Sequence, residues 1–322
     1  MKMAINIAFV AATLLACSCA GTSQAVPAAD NAAEAAATTP QFDADSAYNY
    51  VAAQCAFGPR VPATPAHAQC ATYLTQALSQ WTDSVIVQEA PVTTFDGKHL
   101  TAKNIIAQVN PAAEARILLV AHWDCRPWAD QDPDPAKRKE PVMGANDAAS
   151  GVGVLMEVAR QLKANKPAVG VDILLVDVED WGDSDDEDSW ALGTQYWAKH
   201  PHVAGYKPKY GILLDMVGAR GARFAPEYYS YTNAPSVLQL VWSKARQAGY
   251  GSFFINEGSG GVTDDHVAIN RAGIPCIDII DMRMEGEHGF FDGWHTTHDT
   301  MDNIDRATLK AVGQTLLNVI YQ

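Results

Sequence analysis

The sequence has little positive charge, few cysteines and, after its first twenty residues, no long apolar run. Its 37 acidic and 23 basic residues give a formal net charge of −14. Such a charge repels a phosphate backbone, which argues against a nucleic acid as partner. The missing apolar run excludes a membrane-spanning helix from the main body of the chain. With 322 residues, of which 48% are hydrophobic, the chain can still bury a large core.

The N-terminus has the layout of a secretory signal peptide. One positive charge, Lys2, precedes an apolar run that extends from Ala4 to Ala16. The sequence then reads LLAC, ending at Cys17, and this resembles the lipobox of bacterial lipoproteins, in which the cysteine becomes the lipidated first residue. The alternative is an ordinary cleaved signal in which Cys17 is incidental.

These signals predict three segments. Residues 1–16 form a lipoprotein signal peptide, and residues 17–41, which are rich in Ala, Thr and Pro, form a flexible linker. Residues 42–322 form one folded catalytic domain. We expect an exported, periplasmic protein that touches the membrane only through a lipid anchor on Cys17.

Four cysteines remain in the predicted domain: Cys55, Cys70, Cys125 and Cys276. They permit three complete disulfide pairings, and the sequence does not choose among them. Cys55 and Cys70 are close enough in sequence to join two neighbouring helices. Neither a CxxC motif nor Cys/His zinc spacing is present, which indicates a structural role for these sulfur atoms.

Short apolar runs alternate with helix-like stretches along the domain. Buried strands are predicted at Arg116–Ala121, Val171–Val176, Tyr210–Leu214 and Pro275–Ile280. Helices are predicted at Ala148–Ala164, Ser189–Lys199, Pro235–Ala248 and Ile304–Tyr321. An antiparallel hairpin at the sheet edge is expected from Ser84–Ala90 and Leu100–Asn110. The pattern predicts an α/β fold of three layers, with a central, mostly parallel mixed sheet flanked by helices.

Acids and histidines follow the ends of the predicted strands, where ligands bind in open α/β sheets. They are His122 and Asp124 after the first central strand, Asp177, Glu179 and Asp180 after the second, and Asp215 at the end of the third. Asp147 precedes a helix, where capping is the simplest role for a short acid. Clustered carboxylates repel one another unless a cation is present, so together these residues predict a metal site.

Five motifs in order resemble the family of zinc aminopeptidases and glutaminyl cyclases. They are HWD at His122–Asp124, GANDAASG at Gly144–Gly151, VED at Val178–Asp180, LLDMVG at Leu213–Gly218 and WHTTHDTMDNID at Trp294–Asp305. Each motif is weak alone, whereas the ordered set is specific. The resemblance begins near FGPRVPATPAH at Phe57–His67. AHWDCRPWADQDPDP at Ala121–Pro135, TDDH at Thr263–His266, and Trp294 directly before His295 resemble the bacterial glutaminyl cyclases within that family.

The resemblance implies a role for each of nine residues. One zinc ion per chain is held by Asp147, Asp180 and His295, and Glu179 is the general base and acid. Asp215 and Asp264 orient the substrate amine, while His266, Trp294 and Phe290 belong to the substrate pocket. Asp180 departs from the glutamate that many family members carry at that position. His298, three residues after His295, could also reach the ion if that segment were helical.

The implied activity is that of a zinc-dependent glutaminyl-peptide cyclotransferase, an acyltransferase of the aminoacyltransferase type. Its substrates would be peptides and proteins with an N-terminal glutamine, which becomes pyroglutamate as ammonia leaves. The alternative within the family is a zinc aminopeptidase with two metals held by His122, Asp147, Asp180, Asp215 and His295. A third hypothesis is a non-catalytic binding module, which the intact Glu179 and ligand set disfavour.

The acidic run DSDDED at Asp183–Asp188 could bind calcium, but without an EF-hand pattern it predicts a solvated loop.

Overall fold

Six strands form one mixed sheet in the computed structural model of the chain, which describes residues 39–283 and 289–322. The strands are β1 (Ser84–Thr93), β2 (His99–Val109), β3 (Arg116–His122), β4 (Gly170–Val176), β5 (Gly211–Asp215) and β6 (Cys276–Ile280). Their order across the sheet is β1-β2-β4-β3-β5-β6. The hairpin β1–β2 is antiparallel and β2 pairs antiparallel with β4, whereas β4, β3, β5 and β6 run parallel. The predicted strands and edge hairpin are thus confirmed.

Eight α-helices accompany the sheet in the described residues. They are α1 (Ala44–Cys55), α2 (Pro65–Trp81), α3 (Ala149–Ala164), α4 (Leu192–Lys199), α5 (Tyr228–Asn233), α6 (Pro235–Gln247), α7 (Asp265–Arg271) and α8 (Arg306–Ile320). Single 3-10 turns cover Glu187–Ser189 and Met301–Asn303. Several helices begin at side-chain caps: Asp43 caps α1, Thr64 caps α2 and Asp305 caps α8, each accepting a backbone N–H bond.

Both faces of the parallel part of the sheet are buried, which explains why these strands are mostly apolar. In β3, Ile117, Leu119 and Ala121 join the larger hydrophobic cluster, which includes residues of α1, α2, α3, α6 and α8. The alternating residues Leu118 and Val120 join a second cluster on the opposite face, with Trp197 of α4 and Ile269 of α7. Successive side chains of a strand point to opposite faces of the sheet, and here helices cover both faces. The result is the three-layer α/β architecture that the sequence predicts.

The predicted signal peptide, Cys17 and most of the predicted linker lie outside the described residues. The first helix begins at Ala44, close to the predicted start of the domain. Across the described part of the chain, no helix combines the length and the apolarity that a membrane span requires. The four domain cysteines are free thiols in this structure.

Candidate active site

Acidic side chains and imidazoles converge where β3, β4 and β5 end. His122 is the last residue of β3, Asp215 is the last residue of β5, and Glu179 and Asp180 come three and four residues after β4. Parallel strands bring these ends to one edge of the sheet. The fold itself therefore assembles groups that are distant in the sequence.

A cavity of about 120 Å³ opens at this edge. All the predicted site residues except His266 line it. The full lining is Asp147, Glu179, Asp180, Trp190, Asp215, Met216, Val262, Thr263, Asp264, Ile280, Phe290, Trp294 and His295. A cavity needs about 10–15 Å³ to admit one water, so this one has room for several waters or for a side chain.

Asp147, Asp180 and His295 fit a zinc ion. His295 Nε2 lies 3.2 Å from Asp180 Oδ1 and 3.7 Å from Asp147 Oδ2. Donors placed about 2.0–2.2 Å from a tetrahedral zinc lie roughly 3.3–3.6 Å from one another, which is close to this spacing. Asp180 Oδ2 is buried and has no hydrogen-bond partner among the described residues. Two carboxylates, one imidazole and an unsatisfied buried oxygen together suit a divalent cation.

Asp147 is positioned by Asp299 and does not cap a helix. No side chain caps α3, which begins just after Asp147. The carboxylate of Asp299 instead accepts the backbone N–H groups of Asn146 (2.8 Å) and Asp147 (3.0 Å). Burial and the nearby charge of Asp147 raise the pKa of Asp299 to about 8. This residue escaped the sequence analysis, although it lies within the WHTTHDTMDNID motif.

A second group of donors shares Asp147 with the first. His122 Nε2 lies 2.9 Å from Asp147 Oδ1 and 3.2 Å from Asp215 Oδ1. Burial alone lowers the pKa of an imidazole, but hydrogen bonds to neighbouring acids, Asp124 foremost, raise the pKa of His122 well above its usual value. The residues that would hold two metals in an aminopeptidase are therefore close together. They are His122, Asp147, Asp180, Asp215 and His295.

Glu179 is held by its backbone on a strained turn. Val178 has a φ of +54°, a left-handed conformation that is rare for a β-branched residue. The N–H groups of Glu179 and Asp180 donate to the carboxylate of Asp124 at 3.2 and 3.3 Å. The Ala191 N–H donates to the Glu179 carbonyl at 3.1 Å. Met216 (+48°) and His295 (+53°) are also left-handed, so strained backbone flanks three of the site's residues.

The buried acids raise one another's pKa values. Burial, reinforced by the charges of Asp264 and Asp180, raises the pKa of Glu179 well above its usual value, while His122 opposes the shift. Burial and the charge of Asp147 raise the pKa of Asp215 to about 8. A bound cation would counter these shifts, since it favours the ionised form of each acid. Glu179 therefore holds a proton more readily than an exposed glutamate does, which suits a group that accepts and returns a proton.

Aromatic rings form one wall of the cavity. The ring of Trp294 stacks on His295 with centroids 3.7 Å apart, and Phe290 packs against Trp294 at 4.7 Å. The ring of Trp190 lies nearly parallel to that of His295, with centroids 6.1 Å apart and an angle of 14° between the planes. Trp190 also lines the cavity. These rings fix the orientation of His295 and give the cavity an apolar side.

Two histidines named in the sequence analysis are not among the residues that line the cavity. The resemblance assigns His266 to the substrate pocket; this side chain is fully buried, with Nε2 3.0 Å from Glu227 Oε1. It lies on the first turn of α7. His298 is exposed, and it belongs to none of the donor groups found among the described residues.

A larger groove of about 610 Å³ lies between α5, α6 and the segment around Ser259. Aromatic and aliphatic side chains such as Tyr228, Tyr231 and Trp242 dominate its lining, which includes no carboxylate or imidazole. The chemistry therefore belongs to the smaller cavity.

A mixed sheet with buried metal-type donors at its carboxyl edge defines the class of zinc exopeptidase-like α/β proteins. Within that class, the profile of peptidase family M28 matches residues 104–320, and the chain belongs to this family.

Two solved structures are about 50% identical in sequence to this chain. A Zn-dependent exopeptidase from Parabacteroides distasonis is 51% identical with a TM-score of 0.87, and a glutaminyl cyclase from Bacteroides thetaiotaomicron is 49% identical with a TM-score of 0.86. Each comparison covers 88% of this chain and 99% of the other. The glutaminyl-peptide cyclotransferase of Gloydius blomhoffii is 26% identical over 67% of this chain and 64% of its own length, just under two thirds.

Proposed function

We propose that the protein is a zinc-dependent glutaminyl-peptide cyclotransferase that acts on peptides and proteins with an N-terminal glutamine. In this reaction the α-amine attacks the side-chain amide carbon, the C–N bond to the amide nitrogen breaks, and ammonia leaves pyroglutamate on the peptide. The observation that carries the proposal is the small cavity, where a buried glutamate, a zinc-type donor set and an aromatic wall enclose room for one residue. Several proteins of similar sequence and known structure are glutaminyl cyclases.

Glu179 is the group suited to move the proton. Its carboxylate lines the cavity next to Asp180, and its pKa is raised, so it can accept a proton from the attacking amine and return it to the departing nitrogen. Because both reacting groups belong to one residue, the protein needs only to hold the side chain folded towards its own amine. The restricted cavity favours that folded shape.

Asp147, Asp180 and His295 would hold one zinc ion per chain. When bound, the ion supplies Lewis-acid polarisation of the substrate's side-chain carbonyl. Asp215 and Asp264 line the same cavity and offer carboxylate oxygens to the substrate's amine. Trp294 and Phe290 contribute an apolar surface for the methylene groups of glutamine.

A metal-dependent aminopeptidase is the second candidate, and the group of His122, Asp147 and Asp215 favours it. That group would complete a second metal site bridged by Asp147. An aminopeptidase would activate water and release a free amino acid. The two candidates therefore differ in product as well as in metal content.

The first test is to incubate the purified domain with a glutamine-initiated peptide and to follow ammonia and product mass. We expect loss of one ammonia from an otherwise intact peptide, and no reaction after treatment with a zinc chelator. Release of a free amino acid and a shortened peptide would instead establish the aminopeptidase.

Glu179→Gln tests the assigned proton carrier within the same assay. The substitution keeps the size of the side chain but removes its ability to accept a proton, so we expect turnover to fall by at least about 100-fold. Zinc content, measured by atomic emission, should stay unchanged because Glu179 is outside the proposed ligand set. Persisting activity would contradict the role given to Glu179.

We also propose that the protein is exported and lipid-anchored through Cys17. The support is the order of features at residues 1–17, where a charged residue is followed by an apolar run that ends in LLAC. Cell fractionation with labelled fatty acid should place labelled chain in the membrane fraction, and Cys17→Ser should abolish the label. Uncleaved chain in the cytoplasm would contradict export.

A further inference from the structure

The loop that follows β3 contacts two of the proposed zinc donors. We propose that Arg126 and Asp130, on this loop, are positioning residues that orient Asp180 and His295 for the metal. The inference rests on the proposed zinc site and adds to it a second layer of residues.

Arg126 bridges the loop and the donor Asp180. Its guanidinium forms a bidentate pair with Asp130, Nε to Oδ1 at 2.8 Å and Nη2 to Oδ2 at 2.9 Å. The remaining nitrogen, Nη1, donates to the carbonyl of Asp180, to Asp180 Oδ1 and to the carbonyl of Gly182, each at 3.3 Å. The Arg126 side chain is only 4% exposed, so water competes little for these bonds. Arg126 therefore fixes both the backbone and the carboxylate of Asp180.

Asp130 faces the other donor, His295. Its Oδ1 lies 3.6 Å from His295 Nδ1, which has no hydrogen-bond partner among the described residues. The Gln131 N–H donates to the His295 carbonyl at 3.1 Å, so backbone contact reinforces this approach. A carboxylate beside Nδ1 favours the tautomer with its proton there, which leaves the lone pair of Nε2 for a metal. Nε2 is the atom that faces Asp147 and Asp180.

The same guanidinium supports the aromatic wall. It lies between Trp128, with the ring centroid at 5.1 Å, and Trp190, at 4.9 Å. Trp190 in turn lies parallel to His295 and lines the cavity. Removing the planar guanidinium would therefore loosen both the His295 ring and the Trp190 side of the cavity. The ammonium group of a lysine could not replace it, because it has no planar surface to stack on the rings.

A purely structural ion pair is the competing explanation, and the chain offers a matched control for it. Arg116 and Asp172 also form a bidentate pair, with Nε to Oδ2 at 2.8 Å, in which Asp172 is buried and the Arg116 side chain is 13% exposed. Arg116 begins β3, at the opposite end of the strand from His122, so this pair is remote from the donors. Disrupting either pair should cost stability, but only the Arg126 pair should affect metal binding.

The experiment compares zinc affinity by competition with a chromophoric chelator in the wild type, Asp130→Ala, Arg126→Lys and the control Arg116→Lys. Loss of groups that orient metal ligands typically weakens metal binding by about 10–100-fold, and we expect this for both site variants. Arg116→Lys should bind zinc as the wild type does. The absorption spectrum of the Co²⁺-substituted protein should change in Asp130→Ala and not in the control.

Asp130→Asn serves as a second variant where Asp130→Ala fails to fold. It keeps an oxygen acceptor but loses the charge that pairs with Arg126, so zinc binding should again weaken. Wild-type zinc affinity in the site variants, or an equal loss in Arg116→Lys, would overturn the inference. Failure of the proposed function is separate, since a wild-type protein that binds zinc but releases no ammonia would still permit this comparison.

Discussion

At the scale of single residues, hydrogen bonds to one buried acid hold the segment that carries His295. Asp132 Oδ2 accepts the Thr297 N–H at 2.9 Å and the Thr297 hydroxyl at 2.6 Å. Burial by itself raises the pKa of an acid, but the bonds from Thr297 outweigh it and lower the pKa of Asp132 to about 2. The loop after β3 is thereby fastened to the segment after His295.

This shift predicts how stability depends on pH. Because the folded-state pKa lies below the ordinary value of about 3.9, the ionised group stabilises the fold above that value, and the contribution is lost as pH falls towards about 2. Asp132→Asn should lower the free energy of unfolding by about 1–3 kcal/mol at pH 7. Urea unfolding from pH 7 down to about pH 3 should show the two proteins converging. A difference that stays constant with pH would contradict this assignment.

The residues of the cavity were predictable in part because they follow strands that the sequence reveals. Glu179, Asp180 and Asp215 are examples, since each comes at or shortly after the end of an apolar run. Arg126, Asp130 and Asp299 were not predictable in this way. Their roles depend on contacts between loops that are distant in the sequence, and no periodic sequence pattern predicts such contacts.

At the scale of elements, α1 and α3 pack closely enough to require a glycine. An added Cβ at Gly153 of α3 would lie 2.6 Å from Val51 Cγ2 and 3.0 Å from the Ala47 carbonyl of α1. Both neighbours lie on the buried face of α1, and the backbone carbonyl cannot move away freely. The contact explains a glycine in the interior of a helix, where alanine is normally favoured by about 1 kcal/mol.

Gly153→Ala should therefore destabilise the protein by about 1–3 kcal/mol through overpacking, despite its higher helix propensity. Val51→Ala should relieve the closer of the two clashes, so the double variant should lose less than the sum of the two single losses. Thermal and urea unfolding of the four proteins would measure this coupling. Stabilisation by Gly153→Ala alone would show that the two helices can separate at little cost.

Sequence patterns predicted the central strands, even the five-residue β5 and β6, but gave no bounds for α2, the longest helix in the described part of the chain. The strand β3 and the helix α3 were found nearly to their ends because each repeats its periodic pattern several times. The six residues of α5 and seven of α7 provide too few turns for a pattern to emerge. α7 matters for the site nonetheless, because Asp264 caps its first turn.

At the scale of the whole molecule, the fold gathers negative charge at one edge of the sheet. Asp147, Glu179, Asp180, Asp215 and Asp264 are all buried there. A cation that binds the folded state and not the unfolded chain stabilises it by about 2.7 kcal/mol at 100 times its dissociation constant. The sequence indicated this convergence, but the small volume of the cavity became apparent only in three dimensions.

Removing the metal should thus lower Tm, by about 5 °C for a domain of this size. Calorimetry with a chelator, followed by added zinc, would measure the loss and its recovery. We expect one zinc per chain in the fully active protein. Two metals per chain at full activity would contradict the single-zinc site and favour the aminopeptidase.

The left-handed residues Val178, Met216 and His295 have a consequence for how this chain can change over generations. Left-handed backbone costs a residue with a side chain roughly 1–2 kcal/mol. Glycine would remove that cost, so a laboratory selection for heat tolerance alone would favour glycine at these positions. At Val178 and Met216 it would also free the backbone beside Glu179 and Asp215, and at His295 it would remove the imidazole proposed to bind zinc. Selection for thermal stability would therefore favour glycine at these three positions, whereas selection for activity would favour the present residues.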